Sequence, residues 1–560
     1  MKRAVTMILQ AILLMSMLWS AFNILPARAE GIIYIRADGS IDPPTANITT
    51  FDNITYTFTD SVYDSIVVER DNIVVDGGGY TVQGTGSGTG LSLSGRNNVT
   101  IKSMTISAFY SGIELSSSSS SSISGNNITA NNVCGIVLYS FSNYNSISGN
   151  NITNNQDGIM LYSSSNSSIS GNNITANDYL GIGLCYSSDI SISGNTFTND
   201  GLFVGDSYQN SVENNTVNGR PLVYLEGMSN YTVDDAGQVI LVRCDNIRVE
   251  GLNLSSAGVG VELWETINSS ISGNNITANN VFGIMLESSS NNSISGNNIT
   301  ANNVCGIGLY SSSNSSISGN TITNNGYGIR LEYFSSNSIF HNNFVNNTNQ
   351  AYSYNSVNVW DDGYPSGGNY WSDYTGVDMK SGFYQNESGS DGVGDTAYSI
   401  GVAYQDNYPL VGIFNAYNVT YYTPPLVSHA CNVTVISNST ISDFEAPIWI
   451  EHPEVIFLMF NASGAEGSTG FCRVSFPTAM MNGTYHVSLN GTEIPYTLLP
   501  CSNSTHSYLY FNYTHSTEEV VIIPEFPSFL ILSPLFMIAT LLAVIIYKRK
   551  TEHWRAAAAA

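Results

Sequence analysis

Between residues 108 and 347 the apolar positions come in short bursts, with every second residue Ile, Leu or Val, separated by Ser, Asn, Gly and Thr. One unit reads Gly135-Ile136-Val137-Leu138-Tyr139, then Asn145-Ser146-Ile147-Ser148, then Asn151-Ile152-Thr153. A period of two places alternate side chains on one face, so the unit predicts three short strands. The phrase Ile-Ser-Gly-Asn-Asn-Ile-Thr begins at Ile123, Ile147, Ile169, Ile271 and Ile294, with weaker copies at Ile192, Ile317 and Ile339. One supersecondary unit of 22 to 24 residues is therefore stacked repeatedly. A leucine-rich repeat has a similar length, but the filler here favours strands and turns over the helical or leucine-rich convex side that most such repeats need. The prediction is an all-β parallel β-helix in which Ile136, Leu138, Ile147 and Ile152 lie over Ile159, Leu161, Ile169 and Ile174.

Burying four such side chains contributes roughly 6–12 kcal/mol per coil before backbone ordering offsets most of it, so a single coil would not fold alone. Asn127, Asn151 and Asn173 are expected at a corner, in a left-handed backbone, bonded to their counterparts. Earlier coils are visible at Asp71–Val75 and Asn97–Ile101, and a later one at Asp245–Val249. Together they predict about a dozen coils and a rod of about 55–60 Å at 4.8 Å per coil. Residues 219–240 interrupt the rhythm with Arg220, Glu226, Asp234 and Asp235 and are expected to form a loop-bearing coil.

The flanks differ from the repeats. Residues 1–29 carry Lys2 and Arg3, an apolar run and Ala27-Arg28-Ala29, the pattern of a secretory signal peptide. Residues 30–358 are assigned to the β-helix and 359–412 to its cap, rich in Trp, Tyr, Asp and Gly. Residues 413–523 predict a β-sandwich-like domain, with Asn490-Gly491 between two alternating runs as a hairpin turn. Within residues 524–555, Ser528–Tyr547 is uncharged and long enough to cross a membrane, and Lys548, Arg549 and Lys550 follow on the expected cytoplasmic side. An exported chain held on the extracellular face by a single C-terminal span is the expected localisation.

Charge narrows the partners. Of 17 Lys and Arg, three lie in the signal and four in the tail, leaving ten in the exported part of a chain with net charge −26. Such a surface repels phosphate backbones, which excludes nucleic acid as a natural partner. Of seven cysteines, Cys134, Cys185, Cys244 and Cys305 fall in the coil region and read as buried thiols. Cys472 with Cys501 is the expected disulfide among the three outside the repeats.

If Ile136 and Leu138 point inward, Tyr139 points outward, and the same register projects Tyr162, Cys185, Trp264, Glu287 and Tyr310. Tyr139, Tyr162, Trp264 and Tyr310 form a broken aromatic stripe beside Glu114, Glu262, Glu287 and Glu332, suited to stacking sugar rings; rings that merely stack on one another are the alternative. Asp373, Asp391 and Asp395 in glycine-rich bends are calcium candidates, against aspartates that only shape turns. Asn438, Asn482 and Asn503 head glycosylation sequons outside the ladder. A polysaccharide lyase or glycoside hydrolase needs converging carboxylates or a basic catalytic residue, and Asp234 and Asp235 with Arg243 and Arg248 are the only concentrated set.

The repeats, Gly237-Gln238-Val239-Ile240-Leu241-Val242 and Gly368-Asn369-Tyr370-Trp371-Ser372-Asp373-Tyr374 together resemble archaeal surface proteins with NosD-like, right-handed parallel β-helix repeats, over about residues 31–412. Pro524-Glu525-Phe526-Pro527 with the following apolar span resembles a C-terminal sorting signal, which implies that the tail is cut and replaced by a lipid anchor. The resemblance implies copper delivery as one activity and polysaccharide binding or cleavage as others, and a repeat alone transfers none of them. Copper sites use convergent His, Met or Cys, whereas the coils hold one histidine, His341. The sequence is thus read as a non-catalytic surface protein for adhesion, envelope structure or glycan binding, touching an extracellular glycan or envelope component.

Overall fold

A computed structural model describes residues 31–401, 403–423, 427–448 and 456–525, and among these every regular element is a β-strand. The expected signal peptide, membrane span and basic tail lie outside the described residues. The described residues fall into two compact units: residues 31–362 with Trp371–Asp373 and Tyr398–Asn407, and Gly363–Tyr370 with Tyr374–Ala397 and residues 408–525. The segment expected to be one cap, 359–412, is therefore divided between the two.

The first unit is a right-handed-type parallel β-helix of about 13 turns. A typical coil has one six-residue strand such as Cys134–Tyr139 and two three-residue strands such as Ser146–Ser148 and Asn151–Thr153. Ile136 pairs with Ile159, Leu138 with Leu161, Ile147 with Ile169 and Ile152 with Ile174, and all eight are fully buried. The corner differs from expectation. The left-handed residue is glycine, Gly125, Gly149 and Gly171 at φ of 63°, 62° and 61°, and it turns the following asparagine inward. Asn126, Asn150 and Asn172 form the buried ladder: Asn150 Nδ2 donates to Asn172 Oδ1 at 3.0 Å and to the Ile123 carbonyl at 2.9 Å. Asn127, Asn151 and Asn173 instead open the next strand and make an outer ladder at 2.8 Å, with Asn127 and Asn151 half-buried and Asn173 exposed.

The expected single rod is corrected at residues 216–221. Thr216 pairs with Pro221 and Val217 with Arg220 in an antiparallel hairpin, turning on Asn218-Gly219 at φ of 51° and 81°. Strand direction reverses while the sheet continues, so the last sheet of the first arm and the long-strand sheet of the second form one 14-stranded sheet. Winding of the same hand with strands reversed puts the two arms on opposite faces of that sheet. Leu222, Tyr224 and Ile240, on the outer face of the second arm, accordingly lie on the side that holds the core of the first.

The last coils of the second arm are closed by rings. Trp371 stacks on Phe344 at 4.4 Å and on Tyr398 at 4.3 Å, and its indole donates to Asp406 at 2.9 Å. In the second unit, two five-stranded antiparallel sheets form around Val433, Phe460, Val474, Val487, Phe511 and Ile522. Leu489 pairs with Thr492 across Asn490-Gly491, the predicted hairpin. Cys472 is buried in this core beside Tyr513 and Ser437, Cys501 packs on a separate cluster around Leu410 and Phe471, and both are free thiols. The two thus fall in different side-chain clusters.

Candidate functional site

The outer faces of the two long-strand sheets are where the stripe was expected, and the reversal between arms sets their exposure. The first arm ends at Leu202–Gly205, whose open edge abuts the outer face of the second arm. Gln238 closes it on both sides, accepting from the Leu202 N–H at 2.9 Å and donating to the Leu202 carbonyl at 2.6 Å. The Glu262 carboxyl takes the Val204 N–H at 3.2 Å. Buried backbone groups must be bonded, so two polar side chains in outward register are consumed in joining the arms.

Trp264 is 2% exposed and its indole N–H bonds the Tyr208 hydroxyl at 2.9 Å, and Tyr310 is 1% exposed with its ring edge-on to Phe282. Neither is available to a sugar as the arms stand, which corrects two of the four stripe residues. Tyr162 is half-buried, and burial pushes its phenol pKa up. Tyr139 is half-buried and donates to Glu114 at 2.5 Å. Glu287 lies between Trp264 and Tyr310 in the register. Its Oε2 has no partner, and burial, with Asp206 nearby, pushes its pKa up to about 8. Burial raises Glu262 well above the usual carboxylate range as well.

Further along the second arm the covering ends. Arg330 and Glu332 form an ion pair at 2.7 Å, and the Arg330 guanidinium carbon sits 5.4 Å from the Tyr327 ring centre and 5.5 Å from that of Tyr352. Arg330 pairs in register with Tyr352 and Glu332 with Tyr354, on the last long strand, Asn349–Tyr354. Tyr352 is 39% and Tyr354 57% exposed. The sequence reading named Glu332 but missed Tyr327, Arg330, Tyr352 and Tyr354. Extending the register from Tyr310 through Glu332 would have reached Tyr354.

The remaining candidates disperse. Asp234 and Asp235 are exposed in a turn, where Asp235 meets Arg220 at 3.8 Å. Arg243 is instead paired with Glu265 at 2.7 Å and lies 3.6 Å over the Tyr208 ring. Asp373 belongs to the β-helix unit and accepts from the Tyr398 hydroxyl, whereas Asp391 and Asp395 belong to the other unit. Asp391 accepts the Val393 N–H, and Asp395 those of Met379 and Lys380. Only the Asp391–Val393 bond is local to a turn, and the three carboxylates proposed for calcium are divided between the two units. No three His, Cys, Asp or Glu side chains among the described residues group closely enough to hold a metal. Asn438 is exposed, but its amide donates to the Thr469 carbonyl at 3.0 Å. Asn482 is exposed, and Asn503 is exposed with its oxygen holding the turn at Thr505 and His506.

No curated protein sequence matches the chain. Among solved structures it is similar to the Dettilon tailspike protein gp208, at 12% identity over 82% of this chain and 87% of that one, TM-score 0.22. It is also similar to an alginate lyase from Paenibacillus sp., at 13% identity over 55% and 91% with TM-score 0.23. The A-module of the Azotobacter vinelandii mannuronan C-5 epimerase AlgE4 matches at 16% identity over 53% and 88%, TM-score 0.25. Residues 52–201 and 199–376, more than half of the chain, match the family described as periplasmic copper-binding protein (NosD), and the chain belongs to that family.

Proposed function

We propose that this protein is exported, held at the cell surface by its tail, and uses its β-helix as a non-catalytic contact surface for an extracellular glycan. One observation carries the reading: rings stand out from the β-helix beyond anything folding requires, with Phe141 74%, Phe334 78% and Tyr354 57% exposed. Leaving such area in water forgoes burial energy, and exposed rings set among Ser and Asn hydroxyls and amides match the alternating apolar and polar faces of a sugar polymer. Asn482 and Asn503 remain the glycosylation sites favoured by exposure.

The family description raises copper, and the residues do not fit it. Cys134, Cys185, Cys244 and Cys305 are buried, and burial raises their thiol pKa values, Cys305 to about 12, which keeps them protonated when a metal ligand must be a thiolate. No group of three metal-binding side chains exists among the described residues.

The test applies the purified full-length protein to an array of extracellular polysaccharides, with a parallel assay for released oligosaccharide. Retention without product release is expected. Release of fragments would refute the non-catalytic reading, and retention of nothing would refute glycan contact.

A further inference from the structure

The outer faces of the two long-strand sheets are deeply buried near Gln238 and Glu262 and become exposed along both arms. On the first arm Cys185 and Met160 are buried and Tyr162 and Tyr139 half-buried. On the second, Ile240, Glu262, Met285 and Tyr310 are buried, Arg330 keeps 24% of its side chain exposed, and Tyr352 and Tyr354 lie open. The exposed end of this second face sets open rings beside a largely buried ion pair, Arg330 with Glu332. Glu332 keeps only 7% of its side chain in water.

We infer that Arg330, Glu332, Tyr327, Tyr352 and Tyr354 form a binding site for a neutral, hydroxyl-rich glycan strand; the inference rests on the glycan-contact reading and names its place and its ligand class. The Tyr327 and Tyr352 rings meet edge to face at 6.0 Å and 70°, so Arg330 is held by two rings and a carboxylate. Little side-chain freedom is left to lose on binding. The Arg330 guanidinium, held by the buried Glu332 and still partly exposed, presents donors in a fixed fork from which sugar hydroxyls can accept. The exposed faces of Tyr352 and Tyr354 suit the apolar C–H face of a pyranose ring. Charge selects neutral over acidic glycans: Arg330 is neutralised by Glu332, and the chain as a whole carries a net charge of −26. A polyuronate would meet repulsion.

The experiment measures binding of the full-length protein to neutral mannan and linear β-glucan oligosaccharides and to polygalacturonate, for the wild type, Tyr354→Ala and Arg330→Lys. Expected is binding to a neutral polymer that changes little between about 50 and 500 mM salt, because no ionic contact is made. Each variant should weaken it roughly three- to tenfold, the worth of one ring contact or one hydrogen-bonded fork. Tyr354 is largely exposed, so Tyr354→Ala should keep the wild-type melting temperature and provides the test even if Arg330→Lys fails to fold. Neutral-glycan binding left intact in Tyr354→Ala and in a folded Arg330→Lys would overturn the site while leaving glycan contact standing. Preference for polygalacturonate would overturn the ligand class. Binding to no glycan at all would remove both the site and the function it rests on.

Discussion

Replacing Glu287 with Gln should stabilise the β-helix at neutral pH and remove part of its pH dependence. Glu287 is buried between Trp264 and Tyr310 with one oxygen unpartnered, and its pKa is raised from 4.5 to about 8. Burial is the main cause, and Asp206 adds to it. The unfolded chain loses this proton near pH 4.5, whereas the folded chain keeps it until about pH 8. Between those values the folded state binds more protons, so stability falls as pH rises, by up to about 1.4 kcal/mol per unit, and levels off above pH 8. At pH 7 the accumulated loss is on the order of 3 kcal/mol, which the Gln variant, neutral in both states, avoids. Thermal melting of wild type and Glu287→Gln from pH 4.5 to 8.5 reads it: the two midpoints should converge at the acid end and separate by several degrees at pH 8. Parallel curves across the range, or a variant that melts lower at pH 7, would refute the assignment of a buried neutral carboxyl.

Other outcomes follow from the same geometry. The Asn172 side chain makes four hydrogen bonds with Asn150, Ile147 and Asn195, so Asn172→Ala should cost roughly 2–4 kcal/mol in denaturant unfolding, whereas exposed Asn173→Ala should cost under about 1. Gln238→Ala strips both partners from the Leu202 backbone and should speed hydrogen exchange at Leu202 and Val204 well above that of Ile159; unchanged exchange would show that the arms are not joined there. Cys185, Cys244 and Cys305 should resist alkylation until denaturant is added, and intact-mass analysis should find no Cys472–Cys501 bond.

Burial at the junction makes the outward-facing positions of this chain more than decoration. In an ordinary solenoid the exterior of each coil faces water, and a carboxylate there costs nothing. Here Glu262 and Gln238 take up the open edge of a strand that the chain reversal leaves behind. Their polarity therefore joins two arms that would otherwise present unbonded backbone to each other.

Period-two alternation and the 22 to 24 residue repeat determined that the chain is all-β, that Ile136 lies over Ile159 and Ile152 over Ile174, and that a hairpin forms at Asn490-Gly491. These follow from neighbours along the strand and one coil away, the range that periodicity reports. Alternation says which side of a strand is apolar, but not what covers the other side. Two traces of the answer were present: Asn218-Gly219, a hairpin turn between Thr216-Val217 and Arg220-Pro221, and Val239-Ile240-Leu241-Val242, an unbroken apolar run of the kind that marks a strand buried on both faces. Only the tertiary structure placed the arms on opposite faces of one sheet. That placement withdrew Trp264 and Tyr310 from solvent and left Arg330, Tyr352 and Tyr354 at the open end, because exposure depends on contacts between residues far apart in the chain.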